Sequence, residues 1–431
     1  MKLELGTFEV NGITLGRTTE FSKGELQVDV DELRSLVLND GHFADVRVHV
    51  TRPGESVRIV HALDVVEPRF KVSGPGCVFP GVIGPPVQVG EGQTHRLGGM
   101  ALVTAGAPVE GEPIYWREAV IDMSGPGASY SPFSQTVNLV LELIGREASS
   151  SVAAADLEVR NVIRGSKYAQ EHNIAVRLAE FKVASYLAQA TQDLTPDIVD
   201  VYELKEVDPS LPKVACAGEV FGEFMYGAPL GWQPTLLHPN ELMDGVVYRA
   251  FNTPASVRNV TYSFQNHPIV DDMYSRHGRD LNFLGVLLYQ AGGEKLEEKE
   301  RVTSYASNLL KLVGTDGAVL TWIGGGHLCV DFMLLCRKCE KLGIKTSILN
   351  PEMARTPEDT GFVYFVPEAD AIVSTGNYEQ QLSLPPVDQV IGGDTLLVSG
   401  LDAAGPLTVS IGQILGATSP LGLARLTGAQ Y

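Results

Sequence analysis

The chain lacks any run of about 18 uninterrupted apolar residues, so no membrane-spanning helix is expected in it. Its first ten residues, MKLELGTFEV, hold neither an apolar h-region nor a small-residue cleavage site, so a secretory signal is not expected either. Basic residues are scarce, with 33 Lys and Arg against 52 Asp and Glu for a net charge of −19. So acidic a chain is a poor match for general nucleic-acid or anionic-membrane binding. Cysteine is scarce as well: five residues, an odd number, scattered over 431 positions. That pattern points to reduced thiols in a cytoplasmic protein rather than to a disulfide framework. There is no P-loop, no G-x-G-x-x-G after a strand, no Ser-His-Asp arrangement, no internal repeat and no low-complexity run. The charge-dense residues 295–301 are mixed in sign and read as a solvated helix face.

What is present reads as globular. Hydrophobic residues make up 44% and charged residues 20%, and the length allows two or three domains, each with its own core. Glycine and proline are plentiful, at 45 and 25, but dispersed, which calls for many loops. Residues 1–125 are dominated by strand patterns. Leu26, Val28 and Val30 alternate with polar neighbours, a short helix follows near 33–38, and Val46, Val48 and Val50 alternate again. Pro53-Gly54 between this run and 57–60 predicts a hairpin. Further short runs lie at 69–72, 96–104 and 119–123. Residues 171–191 place Ile174, Leu178, Phe181, Ala184 and Ala188 at helical spacing, with a second apolar side that predicts burial. From residue 211 strands at 214–217, 283–288, 318–322, 345–349, 371–374 and 395–398 alternate with helices at 297–313 and 331–342. That alternation predicts a parallel sheet. The expected fold is an α/β C-terminal domain with a mainly parallel sheet (206–431), preceded by a mainly-β N-terminal domain of sandwich or barrel type (1–150) and a helical connection (151–205).

Several loops carry a family signature. They are Val72-Ser73-Gly74-Pro75-Gly76 with Phe79-Pro80-Gly81, Gly92-Gln93-Thr94-His95-Arg96-Leu97, and Ile121-Asp122-Met123-Ser124-Gly125-Pro126-Gly127 running into Tyr130-Ser131-Pro132-Phe133-Ser134. Met243-Asp244-Gly245, Gln265-Asn266-His267-Pro268, Tyr274-Ser275-Arg276-His277-Gly278, Gly416-Ala417-Thr418 and Leu426-Thr427 follow in order. Together they resemble the α/β precursor subunit of protein B of the glycine, sarcosine and betaine reductases, over nearly the whole chain. The resemblance implies a precursor cut at an internal cysteine, which becomes a pyruvoyl group serving as electrophile for an amine substrate. It implies a γ-like partner subunit whose selenocysteine or cysteine attacks the substrate carbon and cleaves C–N reductively. The family's processing cysteine falls between Met-Asp-Gly and Gln-Asn-x-Pro. Here that interval, 246–264, holds no cysteine, and Asn252 and Ser256 stand where cysteines are expected. Ser256, preceded by Pro254-Ala255, is a chemically admissible pyruvoyl precursor, and Thr253 would give a ketobutyryl group instead. The expectation is an intact chain without pyruvoyl.

Other chemistry-bearing residues have two readings each. Cys216, at the expected end of the first parallel strand, is a nucleophile if its pKa is depressed and otherwise a small core residue; Glu219 is its candidate acid–base partner. His327, Cys329 and Asp331 follow Gly324-Gly325-Gly326. They form a candidate metal site, or the glycines and following helix bind an anion, or Asp331 is an N-cap. Cys336-x-x-Cys339 sits in a helical pattern and reads as core packing. His95, Arg96, Asp122, Ser124, Tyr130, Ser131 and Ser134 lie in family-matching loops. They form a substrate-binding surface or subunit interface, or merely build turns. His238, His267, His277 and Cys77 read as structural. The functional expectation is a subunit of a reductase-like complex acting on a small amine or amino-acid-derived substrate with a γ-like partner, and an oligomer. Its alternatives are a non-catalytic scaffold that kept the fold, or new chemistry at Cys216 or a bound metal.

Overall fold

The computed structural model describes residues 1–107, 109, 119–145, 167–249, 259–291, 293, 295–323, 325–353, 356, 361–397 and 399–424. Two four-stranded mixed sheets form the N-terminal part. In the first, Lys2–Glu9 lies between Ile198–Glu203 and Gly92–Gly98, with Arg69–Ser73 outermost. In the second, Phe43–Thr51, Val137–Gly145, Met100–Ala105 and Ala62–Val66 follow in that order. The long helix Lys167–Gln189 packs against strands of both sheets. Val176, Phe181, Val183, Ala184 and Leu187 are all buried in that shared core, as the second apolar side of its sequence requires. Phe181 stacks on Phe79 with ring centroids 4.1 Å apart.

Two N-terminal expectations are corrected. The run 96–104 is two strands, split where Gly99 takes a φ of +71°. Pro53-Gly54 does not close a hairpin. Phe43–Thr51 pairs with Val137–Gly145, whereas Val57–Ile59 joins Ile121–Asp122 and Gln389–Ile391. The turn redirects the chain between sheets, and the Gly54 N–H donates to Met123 O rather than to a returning strand.

The C-terminal sheet is the expected parallel one. Its order is Thr235–Leu237, Asn282–Gln290, Lys213–Val220, Gly317–Thr321, Lys345–Glu352, Ile372–Asn377, with only the first strand antiparallel. Numbered along the chain, the five parallel strands run 2-1-3-4-5, a doubly wound order. Val214-Ala215-Cys216-Ala217 is apolar on both sides because both faces are covered. Ala215 and Ala217 meet the helices Leu296–Leu312 and Leu328–Lys341, and Cys216 meets the side carrying Ile269, Val270 and Met273 of helix Pro268–Arg276. Gly314 and Gly343, with φ of +80° and +79°, follow the two long helices as the sequence indicates. The expected strand at 395–398 is absent among its described residues: Thr395 makes an isolated bridge to Asp402, and Leu396 N–H bonds Leu401 O across a tight turn. No helix among the described residues is long and apolar enough to cross a membrane.

After Ile372–Asn377 the chain returns to the N-terminal part. Gln389–Ile391 pairs with Val57–Ile59, and Val120 bridges Ile414. One buried arginine fastens this return. Arg58 forms a two-pronged ion pair with Asp122, at 2.6 and 3.2 Å, and donates to the carbonyls of Ala403, Gly405 and Pro385. Removing it strands a buried carboxylate and three acceptors, which costs about 3–5 kcal/mol. Arg58→Ala is therefore expected to lower unfolding free energy by that amount in urea titration. The double variant Arg58→Met/Asp122→Leu is expected to recover part of the loss. Equal loss in both variants would show that the pair is not the fastening.

Candidate functional site

The segments flanking the interval 246–264 are both held by residues 67–71. Asp244, fully buried, accepts from Lys71 Nζ at 2.5 Å, Gly90 N at 2.8 Å and Thr94 Oγ1 at 2.6 Å. Arg69, two residues earlier, donates to Met243 O at 2.6 Å and to Gln265 O and Asn266 Oδ1 on the far side of the interval. Glu67 pairs with Arg69, and its backbone exchanges two 3.0 Å bonds with the Gln265 amide. Arg96 adds a bond to Asn266 and an ion pair with Asp200. The Met-Asp-Gly and Gln-Asn segments are thus two jaws of one clamp built on residues 67–71. Glycine serves the close approaches around it: at Gly81, with φ of +84°, a Cβ would lie 2.1 Å from Tyr226 O.

Inside the clamp lies a buried charge cluster. Asp64 Oδ1 accepts from Thr261 N, its Oδ2 accepts from Thr261 Oγ1, and the Arg249 N–H also bonds Thr261 Oγ1. Glu180, from the long helix, accepts from Thr104 Oγ1 at 2.6 Å. The Arg177 guanidinium lies over the Phe224 ring at 4.2 Å. Burial pushes the Asp64 carboxyl up to about 6, against the pull of Arg249 and the Thr261 bonds. Burial, then the Asp64 charge, raises Glu180 well above the carboxylate range. Two carboxyls that resist ionising together, beside two guanidiniums, can hold and return a proton near neutral pH. Sequence reasoning passed over Asp64, Glu180, Arg177 and Arg249. The readable signal was a lone charge in an apolar run, as in Ala62-Leu63-Asp64-Val65-Val66 and Val246-Val247-Tyr248-Arg249.

The sequence-derived candidates are dispersed. Cys216 is mid-strand, because the strand continues to Val220; its Sγ is buried 4.0 Å from His267 Nε2, and burial pushes its thiol up to about 12. A thiol so raised is not a ready nucleophile. Glu219 is at the strand end, where its Oε2 accepts from Ile323 N. Ser256 lies outside the described residues. His95 Nδ1 bonds Thr191 O at 3.0 Å, tying its strand to the end of the long helix. Arg96 belongs to the clamp. Asp122 is the partner of Arg58, Ser131 Oγ donates to Leu415 O, Ser134 Oγ donates to Asp122 O, and Tyr130 packs beside the C-terminal return. Ser124 precedes the short helix Gly125–Ala128 as its N-cap. These loops hold the chain's own C-terminal segment.

His327, Cys329 and Asp331 do not converge. Asp331 pairs with the buried Lys299, which also donates to His327 Nδ1, while Cys329 Sγ bonds Tyr364 O. Among the described residues no group of three His, Cys, Asp or Glu is placed to hold a metal ion. Cys336 and Cys339 lie in the core beside Ile344 and Ile348. His238 caps helix Pro239–Met243, and His277 bridges Lys205 O and Phe283 N.

A family model described as glycine/sarcosine/betaine reductase component B subunits matches residues 1–429. The chain is similar to the glycine reductase complex component B subunits alpha and beta of Acetoanaerobium sticklandii, 35% identical over 454 aligned positions covering all of both chains. It is 34% identical to the sarcosine reductase complex component B subunit alpha of Peptoclostridium acidaminophilum, over 91% of this chain and 89% of that one. Against the betaine reductase complex component B subunit alpha of the same organism the identity is 32%, over 91% and 88%. No solved structure matches it at a significant level.

The acid cluster has a pH signature. A carboxyl raised on folding contributes stability below its ordinary value of 3.8 and loses that contribution as pH climbs through about 6. Asp64→Asn removes the ionisation. Its stability relative to the native chain is therefore expected to improve by roughly 3 kcal/mol between acid and neutral pH. Urea titrations of both proteins across that range read it, and a pH-independent difference would contradict the raised value.

Proposed function

Because the chain belongs to the glycine/sarcosine/betaine reductase component B subunit family, we propose that it is the α/β-type subunit of such a complex and works as an uncut chain. It acts with a γ-like partner on a small amine or amino-acid-derived substrate, in the cytoplasm. All five cysteines being free fits a reducing compartment. One observation carries the uncut reading: the interval 246–264 keeps the family's flanking segments but contains no thiol.

Self-cleavage to a pyruvoyl group needs a thiol or hydroxyl that adds to the preceding carbonyl. The acyl group shifts to sulfur or oxygen, β-elimination frees the upstream segment as a thiocarboxylate or a carboxylate respectively, and the dehydroalanine hydrolyses with loss of ammonia. The aliphatic hydroxyls in the described part of the interval do not suit this sequence. Thr261 is held by Asp64, and Ser263 lies inside helix Thr261–Gln265. Ser256, after Pro254-Ala255, remains the one serine admissible by its chemistry, and the uncut reading rests on the missing thiol. No step is therefore routed through a pyruvoyl group. The division of labour leaves the attacking chalcogen to the γ-like partner. The substrate C–N bond breaks as a carbon–chalcogen bond forms on that partner, and the departing amine takes up a proton. A scaffold role is the second reading; it draws on the loops at Asp122 and Ser131, which bind the chain's own C-terminal return.

The purified chain alone is expected to release no amine from glycine, sarcosine or betaine with dithiothreitol as reductant. Co-expression with a γ-like subunit is expected to give a stable complex that does. Ser256→Ala is expected to leave assembly and turnover unchanged. Turnover by the isolated chain, or loss of activity in Ser256→Ala, would overturn the reading.

A further inference from the structure

The strand Ile198–Glu203 is the outermost strand of the first N-terminal sheet, and among the described residues none pairs with its outer edge. Its inner edge follows Lys2–Glu9 antiparallel in unbroken register from Ile198↔Thr7 to Glu203↔Lys2. Edge strands are normally guarded by a proline, a lysine or a bulge. This strand, Ile-Val-Asp-Val-Tyr-Glu, has none of them. It also exposes apolar side chains on both faces: Ile198 is 59% exposed, Val199 45% and Val201 54%. A bulge-free, largely apolar edge whose only guards are the carboxylates Asp200 and Glu203 is a template for an added strand that brings basic residues.

The chemistry beside that edge selects the occupant. A surface cleft of about 600 Å³ runs along it, between residues 200–207 and 271–278. Asp200, Glu203, Glu206 and Asp271 line it, with Lys205 as their lysine counterpart. A second copy of this chain would bring the same carboxylates together across a twofold seam, on a chain whose net charge is already −19. An extended segment with apolar residues alternating with Lys or Arg meets both the hydrophobic strand and the acidic cleft. The edge also leads inward to the clamp: Asp200 pairs with Arg96 at 3.2 Å, and Arg96 reaches Asn266 at 3.4 Å. Tyr202 stacks edge-on to Tyr274, which donates to Asn240 beside the other jaw.

We infer that Ile198–Glu203 is the docking edge for the γ-like partner, which adds a strand of alternating apolar and basic residues and fills the acidic cleft. This rests on the proposed complex membership. Calorimetric titration of the chain with a co-purified γ-like subunit tests it. Val199→Lys/Val201→Lys and Glu203→Lys/Glu206→Lys are each expected to weaken binding at least about tenfold while circular dichroism stays native. Leu312→Lys, on the exposed end of a distant helix, is expected to leave affinity unchanged. Native affinity in both strand variants would overturn the surface and leave complex membership standing. A homodimer of this chain that the same variants dissolve would overturn the occupant. Failure of the native chain to bind any γ-like subunit would overturn complex membership, and with it this assignment.

Discussion

The structure turns on a clamp in which one short strand holds both ends of a distant interval. The Arg69 and Lys71 side chains reach Asp244 and Met243 on one side and Gln265 and Asn266 on the other, while Glu67 holds Arg69 by its carboxylate and the Gln265 amide by its backbone. Apart from the two backbone bonds of Glu67, each contact is charged or charge-assisted, and Lys71, Asp244, Arg69 and Glu67 are nearly or fully buried. A buried ion pair adds modest net stability, but losing one partner is costly, so such a set specifies geometry more than it adds free energy. Everything nearer the interval inherits that geometry. Thr261 meets Asp64 because Gln265 is fixed four residues on, and Arg249 meets Thr261 because Asp244 is fixed five residues before it.

The clamp also explains how family resemblance and a missing cysteine coexist. The matching segments are those that hold the frame. Asp244 and Gln265 are anchors, Gly81 and Gly245 admit close backbone and ring contacts, and Asp122 fastens the C-terminal return. None of those duties depends on what stands at 252 or 256. A chain can keep this frame, and the acid pair inside it, after the thiol has gone. The edge strand joins the same frame through Arg96, so a partner docked there sits one side chain from the clamp.

Legibility in the sequence followed the range of the interactions. The parallel strands at 214–217, 283–288 and 318–322 are apolar runs, and 345–349 follows the helix-ending Gly343, so all four are legible from local information. The hairpin at 46–60 was misread because its turn is local while the partners of both strands are not: Val57–Ile59 pairs with Gln389–Ile391, over three hundred residues away. Cys216 was placed at a strand end because the apolar pattern stops at Ala217, whereas the strand continues through Gly218 and the buried Glu219. Asp122 and Ser131 were noticed as loop residues, but their partners Arg58 and Leu415 lie too far along the chain for spacing to show. Asp64, Glu180 and Arg249 needed no alignment. Each is a charge where its neighbours are buried and apolar, and only a buried partner makes that tolerable.

In the proposed function this chain carries the frame of a processed subunit and remains whole. Intact-mass spectrometry of the protein purified from its native complex tests it most directly. One species at 46.4 kDa, with the sequence continuous across 246–264, is expected. Two fragments, the downstream one beginning within that interval and carrying a carbonyl in place of its amino terminus, would contradict it.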